Sequence, residues 1–176
     1  VFGQYDYSLE DLNTSSEYYE KNVGTSYFPD QVTLHYFGHY NWGTCTARFG
    51  QLNDVYESLN ADGNGAHVKL IGVGKSQHMS SLENWTNGND ASVCADQSPY
   101  PTWNEWDAAQ RDLYVLDHGG NVVFHENVTG GLPFYLESLV INLIDQIPAD
   151  CDPELMCGEA ETCCDGLLFP TTCCAE

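Results

Sequence analysis

The sequence predicts one α/β domain with a mixed sheet flanked by helices, followed by a small cysteine-rich tail. A β-branched and aromatic run at 32–37, "VTLHYF", has the composition of a strand. A near-continuous apolar run at 67–74, "HVKLIGVG", is typical of a buried parallel strand. The 176 residues are enough for a domain with a full hydrophobic core and a small appendage.

The first helix is predicted from Thr44 to Leu59 by the spacing of its apolar side chains. They recur at steps of three and four residues and therefore share one helical face. The glycine- and asparagine-rich run "NADGNG" at 60–65 ends the helix. The residues on the apolar face are Cys45, Phe49, Leu52, Tyr56 and Leu59.

The later elements complete a recognisable order. "SSLE" at 80–83 fits a capping box that opens a short helix, and 87–104 has the composition of a loop. "DLYVLD" and "NVVFHE" are two strands joined by a tight "HGG" turn, and a last helix is expected over 133–147. The order β-α-β-α-β-β-α, with the first strands parallel and the last two antiparallel, is the thioredoxin order.

Composition divides the chain into three parts. Residues 1–30 are an acidic, tyrosine-rich arm without a sustained hydrophobic period. Residues 31–148 carry the predicted strands and helices, and 149–176 are rich in Cys, Pro, Glu and Gly. We therefore expect an arm, a thioredoxin-like domain and a separate tail.

The charge is strongly acidic, with 26 Asp and Glu against 5 Lys and Arg and a formal net charge of −21. Such a surface repels nucleic acid and anionic membranes. Two interpretations stay open. The acidic surface is solvated in an extracellular medium rich in salt and calcium, or it binds cations or a basic partner. "NADGNG" lacks the spaced carboxylates of an EF-hand, so surface Ca²⁺ is the one cofactor that the sequence leaves open.

Several features indicate an extracellular protein. Eight cysteines and the absence of a long apolar run favour an oxidising exterior over a cytosol or a membrane span. Glycosylation sequons begin at Asn13, Asn84 and Asn127. The chain starts at Val1 without a leader, as expected of a mature secreted protein.

Two stretches, "CTARFGQLNDVYESL" from Cys45 and "RDLYVLDHGGNVVFHENVTGGLPFYLESLVINLI" from Arg111, carry a family resemblance. They are similar to the N-terminal domain of selenoprotein P, a secreted thioredoxin-like module, and the similarity spans about 31–147. The family's pattern of strand, nucleophile, two residues, cysteine and helix falls on Trp42-Gly43-Thr44-Cys45. The resemblance therefore implies a thioredoxin-like fold with its redox site at this position.

This chain departs from the family at the reactive position, which Trp42 occupies. Indole is neither a nucleophile nor half of a dithiol, so a two-residue disulfide cycle cannot run there. Cys45 remains as the candidate catalytic residue, although it lies on the apolar helix face, where thiols are usually inert. Thioredoxin-like folds also place a cis-proline opposite the site, and aligning "VCAD" at 93–96 puts Ser92 there.

The thioredoxin fold implied here also brings Cys45 near Cys94, because the start of the first helix packs against the loop near the cis-proline. Three interpretations stay open: a structural disulfide, a relocated redox pair, or two free buried thiols. The even number of the remaining cysteines favours the structural disulfide, which would stabilise the domain.

The tail holds the other six cysteines, an even number that predicts three disulfides of undetermined connectivity. Zinc is the rival interpretation, but the spacing lacks paired C-x2-C knuckles and the tail contains no histidine. The six histidines of the chain also show no metal-binding spacing, so no metal site is expected. The tail cysteines are Cys151, Cys157, Cys163, Cys164, Cys173 and Cys174.

Trp42 and Trp103 fall in predicted turns and loops. Exposed tryptophans in such places anchor protein interfaces, whereas the alternative is that they cover the core. Both interpretations stay open.

Two functional hypotheses follow. The first is a non-catalytic interaction or structural component of an extracellular assembly, binding other extracellular proteins or copies of itself. The second is a secreted thiol-disulfide oxidoreductase that uses Cys45, alone or in exchange with Cys94. The missing nucleophile favours the first.

Overall fold

The computed structural model describes residues 5–148, which form a five-stranded sheet, a two-stranded ribbon and four α-helices. No helix in this part of the chain is long and apolar enough to cross a membrane. The elements are β1 Leu9–Glu10, β2 Asn22–Val23, β3 Val32–Phe37, α1 Gly43–Leu59, β4 Val68–Lys75, α2 Glu83–Thr86, β5 Ser92–Asp96, α3 Pro101–Glu105, β6 Asp112–Leu116, β7 Val122–Asn127 and α4 Leu136–Ile144.

The five-stranded sheet has the order β5-β4-β3-β6-β7, so β3 lies at its centre. β3 pairs in parallel with β4, and β4 pairs in parallel with β5. β6 runs antiparallel to β3, and β7 runs antiparallel to β6. A parallel pair needs a crossover, and α1 supplies it between β3 and β4. The predicted mixed α/β sheet is confirmed.

Apolar side chains fill both faces of this sheet. Alternate residues of a strand point to opposite faces, so Leu113 and Tyr114 of β6 enter different clusters. The first cluster is covered by α1 and α4, and the second by the N-terminal arm and α3. Because the central strands are covered on both faces, every residue of β3 is buried.

The segment 87–104 is not the loop that the sequence predicts. It contains β5 and α3, and all five residues of β5 are buried. The predicted capping box is also wrong, because Ser80 lies in a 3-10 turn and no side-chain hydrogen bond caps α2. The last helix, α4, is shorter than the predicted range of 133–147.

The N-terminal arm packs against the domain that follows it. β1 and β2 form an antiparallel ribbon, and Asp11 just beyond β1 bridges to Cys94 of β5. The Leu12 amide donates to the Val93 carbonyl at 2.8 Å, and the Val93 amide donates to Asp11 Oδ1 at 3.0 Å. Tyr5 adds an edge-on contact with Trp106, whose ring centroid is 5.2 Å away.

Candidate functional site

The candidate site lies where β3 gives way to α1, at the stretch "GHYNWGTC" of residues 38–45. Trp42 is the residue before the helix and keeps an extended conformation, with φ −111° and ψ 119°. α1 then begins at Gly43, and Cys45 faces inward from its first turn. The side chain of Trp42 is therefore directed to solvent, whereas that of Cys45, three residues later, is directed to the core.

Trp42 is 49% exposed. Its ring packs edge-on to His39 at 5.8 Å between centroids, and the His39 ring is 4.6 Å from that of His78. We call these three residues the Trp42 patch. Burial, with further contributions from His78, Lys75 and Arg111, lowers the pKa of His39 to about 4. The His39 ring is therefore neutral at physiological pH, which leaves the patch aromatic and uncharged at that position.

Cys45 is completely buried in the first apolar cluster. Its sulfur accepts a hydrogen bond from Gln110 Nε2 at 3.2 Å, and Arg111 Nη1 lies 3.9 Å away. Both donors come from the segment that leads into β6. The thiol therefore has polar partners inside the protein but no exposed surface on which a substrate disulfide could land.

The predicted disulfide between Cys45 and Cys94 is wrong for the structure described here, in which both are free buried thiols. In β5, Val93 enters the cluster that holds Cys45, whereas Cys94 points to the opposite face of the sheet. The Cys94 thiol instead donates to the Leu9 carbonyl at 3.7 Å. Burial, then the carboxylates of Asp11 and Glu10, raise the pKa of Cys94. Structural linkage and redox exchange between the two sulfurs are both excluded by this geometry.

Ser92 does not occupy the position opposite the site. It lies at the start of β5, with its hydroxyl oxygen 3.4 Å from that of Ser16. The segment that contacts Cys45 is Gln110–Arg111, just before β6. The cis peptide bond of the described chain joins Ser98 to Pro99, ahead of α3. The alignment was wrong because it placed the segment opposite Cys45 just before β5, whereas in the structure that segment comes just before β6.

Trp103 is not an interface residue, since it is only 4% exposed. Its ring packs edge-on to Phe37 at 5.4 Å, and Lys75 Nζ lies 4.5 Å from the ring centroid. The amphipathic helix turn that carries it, α3, closes over the second cluster. Of the two predicted interface tryptophans, only Trp42 lies at the surface.

Two arginines, one in α1 and one just before β6, were not identified as site residues from the sequence. Arg48 donates to the Val128 carbonyl at 2.8 Å and to the Thr129 carbonyl at 3.2 Å. Arg111 donates to Thr129 Oγ1 at 2.7 Å. They tie α1 and the segment before β6 to the turn after β7. Their signal in the sequence is rarity, because only 5 residues of this acidic chain are basic.

The three sequons differ in accessibility. Asn13 is fully buried, and its Nδ2 donates to the Asn89 carbonyl at 2.9 Å and the Ala91 carbonyl at 2.8 Å. A glycan on that nitrogen is incompatible with this packing, so Asn13 is wrong as a site on the folded chain. Asn84 and Asn127 are both exposed and stay candidates, although a glycan would displace hydrogen bonds at each. Asn84 Nδ2 donates to the Tyr40 carbonyl at 2.9 Å, and Asn127 Nδ2 donates to the Gln110 carbonyl at 2.9 Å and to Asp112 Oδ1 at 2.7 Å.

The six tail cysteines lie outside the described residues, so their pairing stays a prediction. Within residues 5–148, no three histidine, cysteine or carboxylate side chains group closely enough to hold a metal ion. The candidate site in that part of the chain is therefore built from aromatic, thiol and guanidinium groups.

No family model and no curated protein matches this chain. Among solved structures, it is similar to the thioredoxin domain of a thiol-disulfide oxidoreductase from Bacteroides vulgatus, with a TM-score of 0.59 and 14% identity over 79% of this chain and 93% of that one. The fold is thioredoxin-like.

The thioredoxin-like fold is also seen in two other similar structures. One is a thioredoxin-like protein from Bacteroides vulgatus, with a TM-score of 0.61 and 12% identity over 80% of this chain and 85% of that one. The other is BsSco, a member of the Sco family of cytochrome c oxidase assembly proteins, with a TM-score of 0.61 and 14% identity over 80% and 92%. At these identities the likeness concerns the fold, and activity has to be argued from the site.

Proposed function

We propose that this chain is a secreted thioredoxin-like protein with a degenerate active site, which acts by binding rather than by thiol-disulfide exchange. The observation that carries the proposal is the contrast between Trp42, with 49% of its surface exposed, and Cys45, with none. In the resemblance to the N-terminal domain of selenoprotein P, Trp42 stands at the reactive position. The side chain that meets a partner is then an indole, not a nucleophile.

Within residues 5–148, the lack of a second sulfur beside Cys45 supports the loss of exchange chemistry. A thiolate that attacks a disulfide forms a mixed disulfide, and a resolving thiol is needed to release it. Cys94 cannot resolve an adduct on Cys45, because the two side chains enter clusters on opposite faces of the sheet. Cys45 is also sealed from solvent, so the first step would require α1 to open.

The Trp42 patch supports a binding role. Tryptophan is enriched among the residues that dominate the energy of protein interfaces, since its large ring buries much apolar area. The net charge of −21 favours a partner with a basic surface. An extracellular protein of that kind is the partner we propose. The alternative partner is a second copy of the chain, with Ca²⁺ bridging the acidic faces.

Secretion is part of the proposal. It is supported by the exposed sequons at Asn84 and Asn127, and by six cysteines within the last 26 residues of the sequence. Disulfides among those cysteines would form in an oxidising compartment and suit a tail that docks to another protein.

One observation favours a second candidate function, that of a thiol oxidoreductase using Cys45 alone. The Gln110 amide and the Arg111 guanidinium approach the sulfur as hydrogen-bond donors. Such donors stabilise charge on sulfur, as sites with reactive cysteines do. A single buried thiol still lacks a resolving partner among residues 5–148, so we rank this function second.

Two measurements test the proposal. In a disulfide-reduction assay, the wild-type chain and Cys45→Ser should both give only the uncatalysed rate; turnover by the wild type that Cys45→Ser abolishes would establish the second function instead.

For binding, extracellular fluid from the natural source is passed over immobilised wild type, Trp42→Ala and Tyr19→Ala. Tyr19 is a similarly exposed aromatic residue, at 41%, outside the patch. A partner retained by the wild type and Tyr19→Ala but lost from Trp42→Ala is expected.

The self-association alternative has its own measurement. Sedimentation of the wild type at high concentration, with and without millimolar Ca²⁺, should show a calcium-dependent dimer or larger species. A chain that stays monomeric under these conditions removes self-association and leaves the separate basic partner.

A further inference from the structure

Lys69 breaks the apolar pattern of an inner strand. It is the second residue of β4, which lies between β3 and β5 and is otherwise apolar or glycine up to its last residue. Only 7% of Lys69 is exposed. Lysine is almost never buried to this degree without a paired charge, so its presence here calls for a partner.

The ammonium group of Lys69 makes only one hydrogen bond within the described part of the protein. Nζ donates to the Gly65 carbonyl at 2.8 Å and lies 5.2 Å from the centroid of the Tyr18 ring. No carboxylate in the described part of the chain forms an ion pair with it. An ammonium has three N–H donors, so two remain without a hydrogen-bond acceptor in the protein. Burial lowers the pKa of Lys69, and the Glu17 carboxylate offsets part of this effect.

Lys69 lines a polar cavity of about 180 Å³ between the arm, the end of α1 and strands β4 and β5. Hydroxyl groups of Ser16 and Ser92 line the same space, with their oxygens 3.4 Å apart. Glu17 and Asp90 contribute carboxylates to the same lining. An ammonium group with free donors and two carboxylates therefore line one cavity.

The chemistry of these groups selects a ligand class. The free N–H groups of Lys69 call for a carboxylate, and the carboxylates of Glu17 and Asp90 call for an amino group. A simple anion would be opposed by Asp90 and by the net charge of −21, whereas a zwitterion is neutral overall. The volume is below the range of drug-sized pockets, about 300–1,000 Å³, so the ligand has to be small. We propose that this cavity binds a free α-amino acid with a small side chain.

The site is separate from the proposed function. None of the residues of the Trp42 patch lines the cavity, and Cys45 does not line it either. The arm supplies Ser16, so an occupied cavity would hold the arm to β4 and β5. A variant can therefore lose amino acid binding in the cavity without losing partner recognition by the Trp42 patch, and the reverse also holds.

The test is calorimetric titration of the full chain with glycine, L-alanine and L-serine, with acetate and methylamine as single-charge controls. At least one amino acid should bind saturably and more tightly than either control. Lys69→Met should weaken that affinity at least tenfold, because it removes the ammonium but keeps the length of the side chain. Lys21→Met makes the same charge change at an exposed lysine and should bind as the wild type does.

Thermal unfolding without ligand separates a binding lysine from a structural one. Lys69→Met should melt at or above the wild-type temperature, since it relieves a buried charge with one hydrogen bond. In wild-type amide NMR spectra, the amino acid should shift resonances of Ser16, Lys69 and Ser92 first. No saturable binding, equal binding of acetate or methylamine, unchanged affinity in Lys69→Met, or shifts centred elsewhere would each overturn the proposal.

Discussion

His35 shows how a single buried polar side chain contributes to the acid sensitivity of this protein. It lies in β3 and is fully buried. The Tyr7 hydroxyl is 2.7 Å from Nδ1, and Thr33 Oγ1 is 2.9 Å from Nε2, so the neutral ring has a partner at each nitrogen. Burial lowers the pKa of His35 from 6.5 to about 3. A charged imidazole has no counter-ion among these contacts.

This pKa fixes the sign of the pH dependence. The unfolded chain binds a proton at His35 below about pH 6.5, whereas the folded chain does so only near pH 3. The stabilisation is therefore complete above pH 6.5 and is lost as the pH falls toward 3. Between these limits His35 contributes a slope of up to about 1.4 kcal/mol per pH unit to the free energy of unfolding.

We predict that His35→Gln removes this slope. The variant should be less stable than the wild type by about 1–3 kcal/mol at pH 7, because at least one buried hydrogen bond is lost. Its deficit should shrink between pH 6 and pH 4 in urea unfolding. His67→Gln makes the same change at an exposed position and should follow the wild-type pH dependence. A deficit for His35→Gln that stays constant with pH would contradict the assignment.

At the scale of elements, the glycines of β4 let aromatic rings approach the backbone. A Cβ at Gly74 would lie 2.1 Å from Tyr40 Cζ, and one at Gly72 would lie 2.7 Å from Phe49 Cε2. Tyr40 is held in place, because its hydroxyl donates to the Cys94 carbonyl at 2.6 Å. The run "GVG" is therefore a packing feature of an inner strand.

We predict that Gly74→Ala destabilises the fold by about 3 kcal/mol or more, because the new methyl group overlaps the Tyr40 ring. Gly50→Ala is the matched control: Gly50 lies in α1 with open space around its Cα. That control should stabilise the protein by about 0.5–1 kcal/mol, since alanine favours a helix interior. Denaturant unfolding measures both. Equal effects of the two substitutions would show that Tyr40 is not packed on β4 as described.

Long elements, in which the hydrophobic period repeats several times, could be predicted from the sequence, whereas short elements could not. The apolar spacing from Cys45 to Leu59 predicts α1 almost to the residue, because a helix of 17 residues shows several turns of its pattern. β5 has only five residues and follows a run of Asn, Gly and Asp, so its composition resembles a loop. Its burial depends on contacts with the arm, which local sequence does not reveal.

The site followed the same division. Its place after β3 could be anticipated from sequence, because it depends on a strand-turn-helix pattern, whereas the exposure of Trp42 was left open. The burial and orientation of Cys94 and Trp103 depend on β5 and α3, the two elements that the sequence did not reveal. Once β5 is in place, strand alternation alone sends Cys94 to the face opposite Cys45.

For the whole molecule, charge repulsion is the dominant electrostatic feature. The sequence has 26 acidic and 5 basic residues. Within the described residues, no Lys or Arg side chain forms an ion pair with a carboxylate, and His125 Nε2 lies 3.2 Å from Asp112 Oδ2. Repulsion of this kind opposes the compact state and is screened by salt.

We predict that the melting temperature rises as NaCl increases from about 0.02 M to about 0.5 M, since the Debye length shrinks from roughly 20 Å to about 4 Å. Calorimetric scans at constant pH measure this. Comparison with CaCl2 at equal ionic strength tests surface calcium, which would add a saturable increase. A melting temperature that falls or stays constant with NaCl would show that repulsion does not limit stability.

The most direct test of the central claim, that this thioredoxin-like fold has lost its reaction at Trp42, is to restore the missing thiol. With Trp42→Cys, residues 42 and 45 should form a disulfide with oxidised glutathione, giving up two electrons and two protons and releasing two reduced glutathiones. With reduced glutathione supplied as the electron donor, the variant should also reduce a peptide disulfide to its two thiols while two glutathiones are oxidised to one glutathione disulfide, whereas wild type, Trp42→Ser and the double variant Trp42→Cys/Cys45→Ser should not catalyse this reaction. Wild-type turnover that matches Trp42→Cys and disappears in Cys45→Ser would contradict the account.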